Sequence, residues 1–327
     1  MTPDRIKKVG SFPQLDVNSL FVTSPSDEIR ISRLCRTSEE HWEPADFEFV
    51  RRKAAEYSEN QYSEAKYTQS FFAIEPKTSA EVDKNSLPNT VKDIDSLWNP
   101  RKFSIPRRPF VIGRVVNTDG YSQPGTVRCL HLPIKLPASE IRVPREYLQF
   151  QETLDKIFTF EASVNSNFPE YFAYLTVDQR FVPKGASQRL PGAHVDGIPR
   201  DRDNPHLQKI DHSYLVTDNL GTRFFEHEFQ LDHYDLKKTN FFAAMRLLAD
   251  EQRSVVTKPY EITLMNAYSV HSAIPSDRSF YRTFLRVEFS VLRFDRLGNA
   301  INPWFDYKWE YSPSRFPADL VIPDDIS

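Results

Sequence analysis

From about residue 110 onward, the pattern turns to apolar, strand-forming runs separated by polar segments. The runs are FVIGRVV (110–116), VRCLHLPIKL (127–136), YFAYLTVDQRFV (171–182), SYLVTD (213–218), TRFFEHEF (222–229), EITLMNAYSVH (261–271) and YRTFLRVEFSVLRF (281–294). In the last run Thr283, Leu285, Val287 and Phe289 form a core-like face, and Arg282, Phe284, Arg286 and Glu288 share the other. Three segments switch to helical spacing. Phe47, Val50 and Ala54 predict a helix over 46–58. Leu148, Phe150, Leu154 and Phe158 share a face of another, placed at 145–157. The third spans 240–253, with Phe241, Ala244, Met245 and Leu248 as its buried stripe.

Many strands, few helices and Pro-rich connections predict a mainly β fold, a sandwich or jelly roll with helices packed outside. The helix over 240–253 interrupts the strands without alternating regularly with them, which disfavours a doubly wound α/β sheet. Residues 1–45 read as polar loop around a short apolar island, Leu20-Phe21-Val22. Residues 76–109 read as a long connection, a lid or an excursion over the surface. No linker divides the chain, so the expectation is a single domain, with 1–109 an N-terminal extension packed on a core formed by 110–327.

Composition sharpens this picture. Aromatic residues are 13% of the 327, and Phe alone accounts for 25, which favours packed sheets over a helical bundle. Hydrophobic residues at 39% and charged residues at 27% fit a globular protein. The formal net charge of -3 calls for neither nucleic acid nor an anionic membrane as partner. Two cysteines, Cys35 and Cys129, are too few for a disulfide framework or a thiolate metal site and are expected as buried free thiols. The N-terminal MTPDRIKKVGSFPQ lacks the apolar run of a secretory signal, and no apolar stretch is long enough to span a membrane. A soluble, cytoplasmic protein of a reducing compartment is expected; the sequence does not address its oligomeric state.

Candidate chemistry concentrates in QRLPGAHVDGIPRD (188–201). His194 and Asp196 are two residues apart, so on an extended strand an imidazole and a carboxylate point to the same side. Gly197 then lets the backbone turn away. His271, 75 residues beyond Asp196, ends a strand run before a Ser/Pro/Asp loop and is the best third ligand. His206, His212, His227 and His233 sit in polar loops or beside charges and read as structural or solvated. Two His and one Asp make the facial triad that leaves positions open on Fe(II), enough for a bidentate 2-oxo acid and O2. Arg282 and Arg286 follow His271 by 11 and 15 residues on one inward strand face, where a guanidinium needs a partner. One is expected to hold the cosubstrate. The other binds a substrate carboxylate or pairs with Glu288. Tyr174, Thr176 and Tyr214 flank the motif, but such residues are common in sheets and are read as structural. The basic residues Arg101, Lys102, Arg107 and Arg108 are read as a solvated loop.

GAHVDG, the strand ending LMNAYSVH and then RTFLR resemble the Fe(II)/2-oxoglutarate-dependent oxygenase superfamily over roughly residues 170–295. The resemblance implies a double-stranded β-helix, with His194, Asp196 and His271 as iron ligands. It implies 2-oxoglutarate and O2 as cosubstrates, with Arg282 at the spacing of the 2-oxoglutarate arginine. The pair Arg282/Arg286 looks similar to taurine dioxygenase, where a second arginine contacts a substrate anion. Lys258-Pro259-Tyr260-Glu261 departs from the turn usual before the distal strand. The implied reaction oxidises a C–H bond of a small, carboxylate-bearing metabolite such as an amino acid, by hydroxylation, desaturation or oxidative ring closure. Asp196 stands where related halogenases carry Gly or Ala, so halogenation is not expected. Two other readings remain open: a cupin-like metal enzyme or metal-binding protein not using 2-oxoglutarate, and a non-catalytic β-sandwich interaction module.

Overall fold

Strand β11 (Phe280–Ser290) lies inside the largest sheet and is buried along nearly its whole length. It pairs antiparallel with β5 (Phe172–Val182) on one side and β6 (His212–Thr217) on the other. β2 (Phe110–Arg114), β3 (Arg128–Lys135) and β9 (Glu261–Asn266) complete a six-stranded antiparallel sheet of order β2-β9-β6-β11-β5-β3. A second antiparallel sheet has the order β10-β7-β8, from β7 (Thr222–Phe225), β8 (Ser254–Val256) and β10 (His271–Ala273). β1 (Phe71–Ile74) and β4 (Ile141–Pro144) form a separate pair. The fold is thus mostly β with few helices. The computed structural model describes Ala45, Phe49 and residues 71–77, 86–122, 127–296 and 298–310. Nearly all of the expected helix over 46–58, the apolar island at 20–22, and Cys35 lie outside them.

Four helices are described: α1 (Asn89–Lys92), α2 (Asp119–Ser122), α3 (Gln151–Val164) and α4 (Phe241–Leu248). None is long and apolar enough to cross a membrane. The α3 stripe of Leu154, Ile157 and Phe158 packs on Leu285, Val287 and Phe289, the face of β11 that alternation assigns to the core. The helix differs from expectation at both ends. Residues Arg145–Phe150 form a 3₁₀ segment that leaves Leu148 exposed, and the helix runs on to Val164. It carries one acid on its buried side, Glu161, which is fully enclosed. His212 Nε2 lies 3.0 Å from both Glu161 oxygens, and the Tyr214 hydroxyl (2.7 Å) and Asn165 amide (2.7 Å) donate to it. These contacts place His212 and Tyr214 in structural roles and pin the helix to the sheet.

Other boundaries shift for local reasons. α4 ends at Leu248 because Ala249 is extended and Asp250 caps a 3₁₀ turn at Glu251–Arg253. The expected run 261–271 is broken by a turn in which the Asn266 side chain accepts from Tyr268 N (3.0 Å), leaving His271 to start a new strand. The connection 76–109 is not a solvent-exposed excursion in its described part. Trp98 and Phe103 are buried beside Tyr268, whose hydroxyl accepts from Asn99 N at 2.8 Å. The basic residues there divide: Arg107 is buried on Asp93 (2.8 Å) and Lys102 pairs with Asp93 (2.8 Å), while Arg108 is exposed. Cys129 is a buried free thiol.

Candidate metal centre

His194 and His271 are locked together by backbone before their side chains meet. His194 N donates to His271 O (2.9 Å) and His271 N donates to His194 O (2.8 Å), an antiparallel bridge that joins the 188–201 loop to the start of β10. The imidazole centroids are 4.4 Å apart. Asp196, two residues on, points to the same side, and its Oδ2 lies 3.8 Å from His271 Nε2. One donor atom from each of the three residues falls within 4.8 Å of the others. Gly197 turns the chain away at φ +84°, where a Cβ would sit 3.0 Å from Asp211 Cβ, so both the left-handed backbone and the close approach favour glycine.

Hydrogen bonds fix which imidazole nitrogens face the shared space. His194 Nδ1 is 2.9 Å from Gly192 O, and His271 Nδ1 is 2.9 Å from Ser269 O. A carbonyl only accepts, so each Nδ1 carries a proton and each Nε2 is the nitrogen left to face the shared space. Burial, with His271 alongside, pushes the His194 imidazole down to about 4, so it is neutral at physiological pH, as a metal ligand must be. Burial alone would raise the Asp196 carboxyl, but the Arg286 guanidinium and the two imidazoles outweigh it and hold it well below the usual carboxylate range. Two imidazoles and one carboxylate, closely spaced, suit a divalent transition metal bound on one side.

The two arginines sit differently. Arg286 reaches across from the six-stranded sheet: Nη1 donates to Asp196 Oδ2, and Nη2 lies 3.0 Å from Glu288 Oε2 and 2.8 Å from His131 Nε2. The pairing with Glu288 that the strand pattern allows is therefore present, and the same guanidinium holds the carboxylate of the triad. Arg282 is turned toward the β6–β7 turn. Its Nε donates to Asn219 O (2.9 Å) and Leu220 O (3.1 Å), Nη2 to Leu220 O (2.6 Å), and Nη1 to Gln188 Oε1. Burial lowers it to about 10, still cationic at neutral pH. A guanidinium has five N–H groups, so both terminal nitrogens keep a donor for a further acceptor.

Scans against known protein families and against curated proteins find no match. Solved structures give weak likenesses. EvdO2 from Micromonospora carbonacea var. aurantiaca, complexed with 2-oxoglutarate, is 14% identical over 49% of this chain and 76% of its own, with a TM-score of 0.29. A Pseudomonas putida prolyl-4-hydroxylase is 12% identical over 43% of this chain and 66% of its own, at 0.26. The nickel complex of the non-heme monooxygenase ThoJ is 13% identical over 49% and 62%, at 0.24. Similarities this low carry no argument.

Three residues at the site gave no usable signal in the sequence. Gln188 lies inside the 188–201 segment, and its amide donates to Asp178 O (2.8 Å) and Arg282 O (3.3 Å) while accepting from Arg282. His131 stands alone in a strand-like run, yet it adopts φ 45° where β3 bulges against β5. Asn299 comes from beyond β11, and its Oδ1 is 3.2 Å from His131 Nδ1. Thr176 accepts from His131 N at 3.1 Å, and the Tyr174 hydroxyl donates to Leu292 O at 3.1 Å, so both serve the scaffold. Arg189, five residues before His194, lies over the Phe284 ring (4.9 Å) and lines a small recess with Arg128, Thr176 and Asp178. Of the remaining histidines, His227 is buried with Nε2 3.0 Å from Leu248 O, and His206 and His233 are exposed.

Proposed function

We propose that this protein is a non-haem Fe(II)/2-oxoglutarate-dependent oxygenase acting on a C–H bond of a small, carboxylate-bearing metabolite. The observation that carries this reading is the His194–Asp196–His271 cluster, with both Nδ1 atoms tied to backbone carbonyls and one donor atom from each residue brought within 4.8 Å of the others. His194, Asp196 and His271 would hold the metal on one side and leave its other side open. Bound there, Fe(II) with 2-oxoglutarate and O2 supplies oxidation of an unactivated C–H bond as the cosubstrate becomes succinate and CO2. The remaining donors on Arg282 would orient the far carboxylate of 2-oxoglutarate, and the guanidinium of Arg189 is placed to meet an anionic substrate. The six-stranded and three-stranded antiparallel sheets support a double-stranded β-helix, with residues 110–327 as its core. The packing of Trp98 and Phe103 on Tyr268 supports treating 1–109 as an extension docked on that core. Hydroxylation, desaturation and ring closure would all use the same ligands.

A metal enzyme that does not use 2-oxoglutarate is the second reading. It is favoured by the engagement of Arg282 with protein carbonyls and of Arg286 with Asp196. Anaerobic titration separates the two. Fe(II) plus 2-oxoglutarate should give a weak visible charge-transfer band, absent with Fe(II) alone and lost in His194→Ala, Asp196→Ala and His271→Ala. Iron binding with no band, and no succinate on admitting O2, would leave only the second reading.

A further inference from the structure

The Asp196 carboxylate is held from behind by a chain of hydrogen bonds that begins on a different part of the fold. Asn299 Nδ2 donates to Phe294 O (3.0 Å), which fixes the orientation of that amide and turns Oδ1 toward His131. Asn299 Oδ1 is 3.2 Å from His131 Nδ1, which in the neutral imidazole puts the proton on Nδ1 and the lone pair on Nε2, an atom that also lies 3.3 Å from Glu288 Oε2. The Arg286 Nη2 donor lies 2.8 Å from that Nε2, and the Nη1 of the same guanidinium donates to Asp196 Oδ2. Glu288, 3.0 Å from Arg286 Nη2, balances its charge. The segment that carries the imidazole is held as well. The His131 backbone N donates to Thr176 Oγ1 (3.1 Å), its ring meets the Phe294 edge at 5.1 Å, and Ala300 N donates to Leu130 O (2.7 Å), clamping the bulge.

We propose that His131 is a positioning residue of the metal centre, orienting through Arg286 the carboxylate that Asp196 presents to the metal. The proposal rests on the metal-binding reading given above. The reasoning is geometric. A guanidinium is planar and its donors are fixed relative to one another, so fixing Nη2 on His131 and Glu288 also fixes where Nη1 points. Partners behind a metal ligand typically change metal affinity 10–100-fold when lost. The chain also assigns Arg286 to the centre itself, which removes it as the cation facing an anionic substrate.

Cobalt(II) is the probe, titrated into the full chain without cosubstrate and followed by its visible d–d absorption, with thermal unfolding of the metal-free protein measured alongside. His131→Phe keeps a ring against Phe294 but removes the acceptor for Arg286; it should weaken cobalt binding roughly 10–100-fold and alter the absorption envelope. His131→Gln places an amide oxygen near the Nε2 position and should recover affinity to within a few-fold of wild type. In an Asp196→Asn background His131→Phe should cause little further loss, because the group it acts through is already changed. Should His131→Phe fail to fold, Asn299→Ala tests the same chain, with an expected several-fold loss. Unchanged cobalt affinity in His131→Phe or Asn299→Ala overturns the proposal, and so does an equal loss with and without the Asp196 carboxylate. Wild-type protein that binds no cobalt overturns the metal-binding reading and this proposal together; wild-type binding with an inert His131 overturns this proposal alone.

Discussion

Replacing Arg282 with alanine should cost fold stability as well as cosubstrate binding, and the structure sets the size of that cost. The guanidinium supplies the hydrogen bonds to Asn219 O, Leu220 O and the Gln188 amide, all in a poorly solvated part of the molecule. The turn that carries two of these acceptors has no room to relax. Leu220 is already at φ 39°, and a Cβ on Gly221 would lie 1.8 Å from Thr257 O. Asp218, whose carboxyl burial raises to about 6, would also lose a nearby cation that favours its ionised form. Three acceptors deprived of charged donors, at roughly 1.5–3 kcal/mol each and partly relieved by entering water, give about 3–5 kcal/mol. Arg282→Lys keeps the charge but not the fork, so it should recover only part of this. The assay is urea unfolding of the metal-free protein, paired with the 2-oxoglutarate concentration needed for half-maximal succinate release. Arg282→Ala should lower the unfolding free energy by that amount and raise the requirement strongly. A stability loss under about 1 kcal/mol would show that the carbonyls of the turn are satisfied without Arg282, and the argument would fail. A normal 2-oxoglutarate requirement would place cosubstrate binding elsewhere.

Two further outcomes follow from buried acids outside the metal cluster. Burial raises the Asp211 carboxyl to about 7, and its Oδ1 has no hydrogen-bond partner among the described residues. Because the folded pKa lies above the unfolded one, this group's contribution is fully present below about pH 4 and is lost as pH rises toward 7, a change of about 4 kcal/mol at most. Asp211→Asn should therefore gain stability relative to wild type between pH 5 and pH 8 in urea unfolding, and parallel pH profiles would refute the assignment. Glu161→Ala would strip His212, Tyr214 and Asn165 of their common acceptor and should cost about 3–5 kcal/mol; a melting temperature unchanged within a degree or two would contradict it.

The strands were legible because alternation is a local property. In β11, Leu285, Val287 and Phe289 face α3 and Arg282, Arg286 and Glu288 face the site, as period 2 requires. Helix ends were not legible in the same way. Leu148 fits the helical stripe of 145–157, yet it precedes the first α-helical turn and is exposed, because the segment before Gln151 is 3₁₀. The connection 76–109 looked like a surface excursion because it is rich in Pro and charge. Its two largest apolar residues, Trp98 and Phe103, pack with Tyr268, far along the chain, and nothing local announces that contact.

The candidate site divides along the same line. His194 and Asp196 share a side because they are two apart. His271 joins them because it opens a strand, and its backbone bonds with His194 complete the convergence. The strand pattern also set two roles for Arg286 side by side, a substrate anion or Glu288. It could not supply a third, since the contact with Asp196 crosses from one sheet to a loop joined to the other. His131 and Asn299 were further out of reach. One sits at a bulge whose φ of 45° no residue type requires, and the other lies in the irregular segment after β11. Periodicity registers what an element presents to its own neighbours. It is blind to a hydrogen-bond chain that passes from an irregular segment, through a bulge, to a guanidinium and then to a carboxylate. Yet the orientation of Asp196 depends on that chain, so residues that look like metal ligands in a sequence still need the groups behind them to be located before their affinity can be argued.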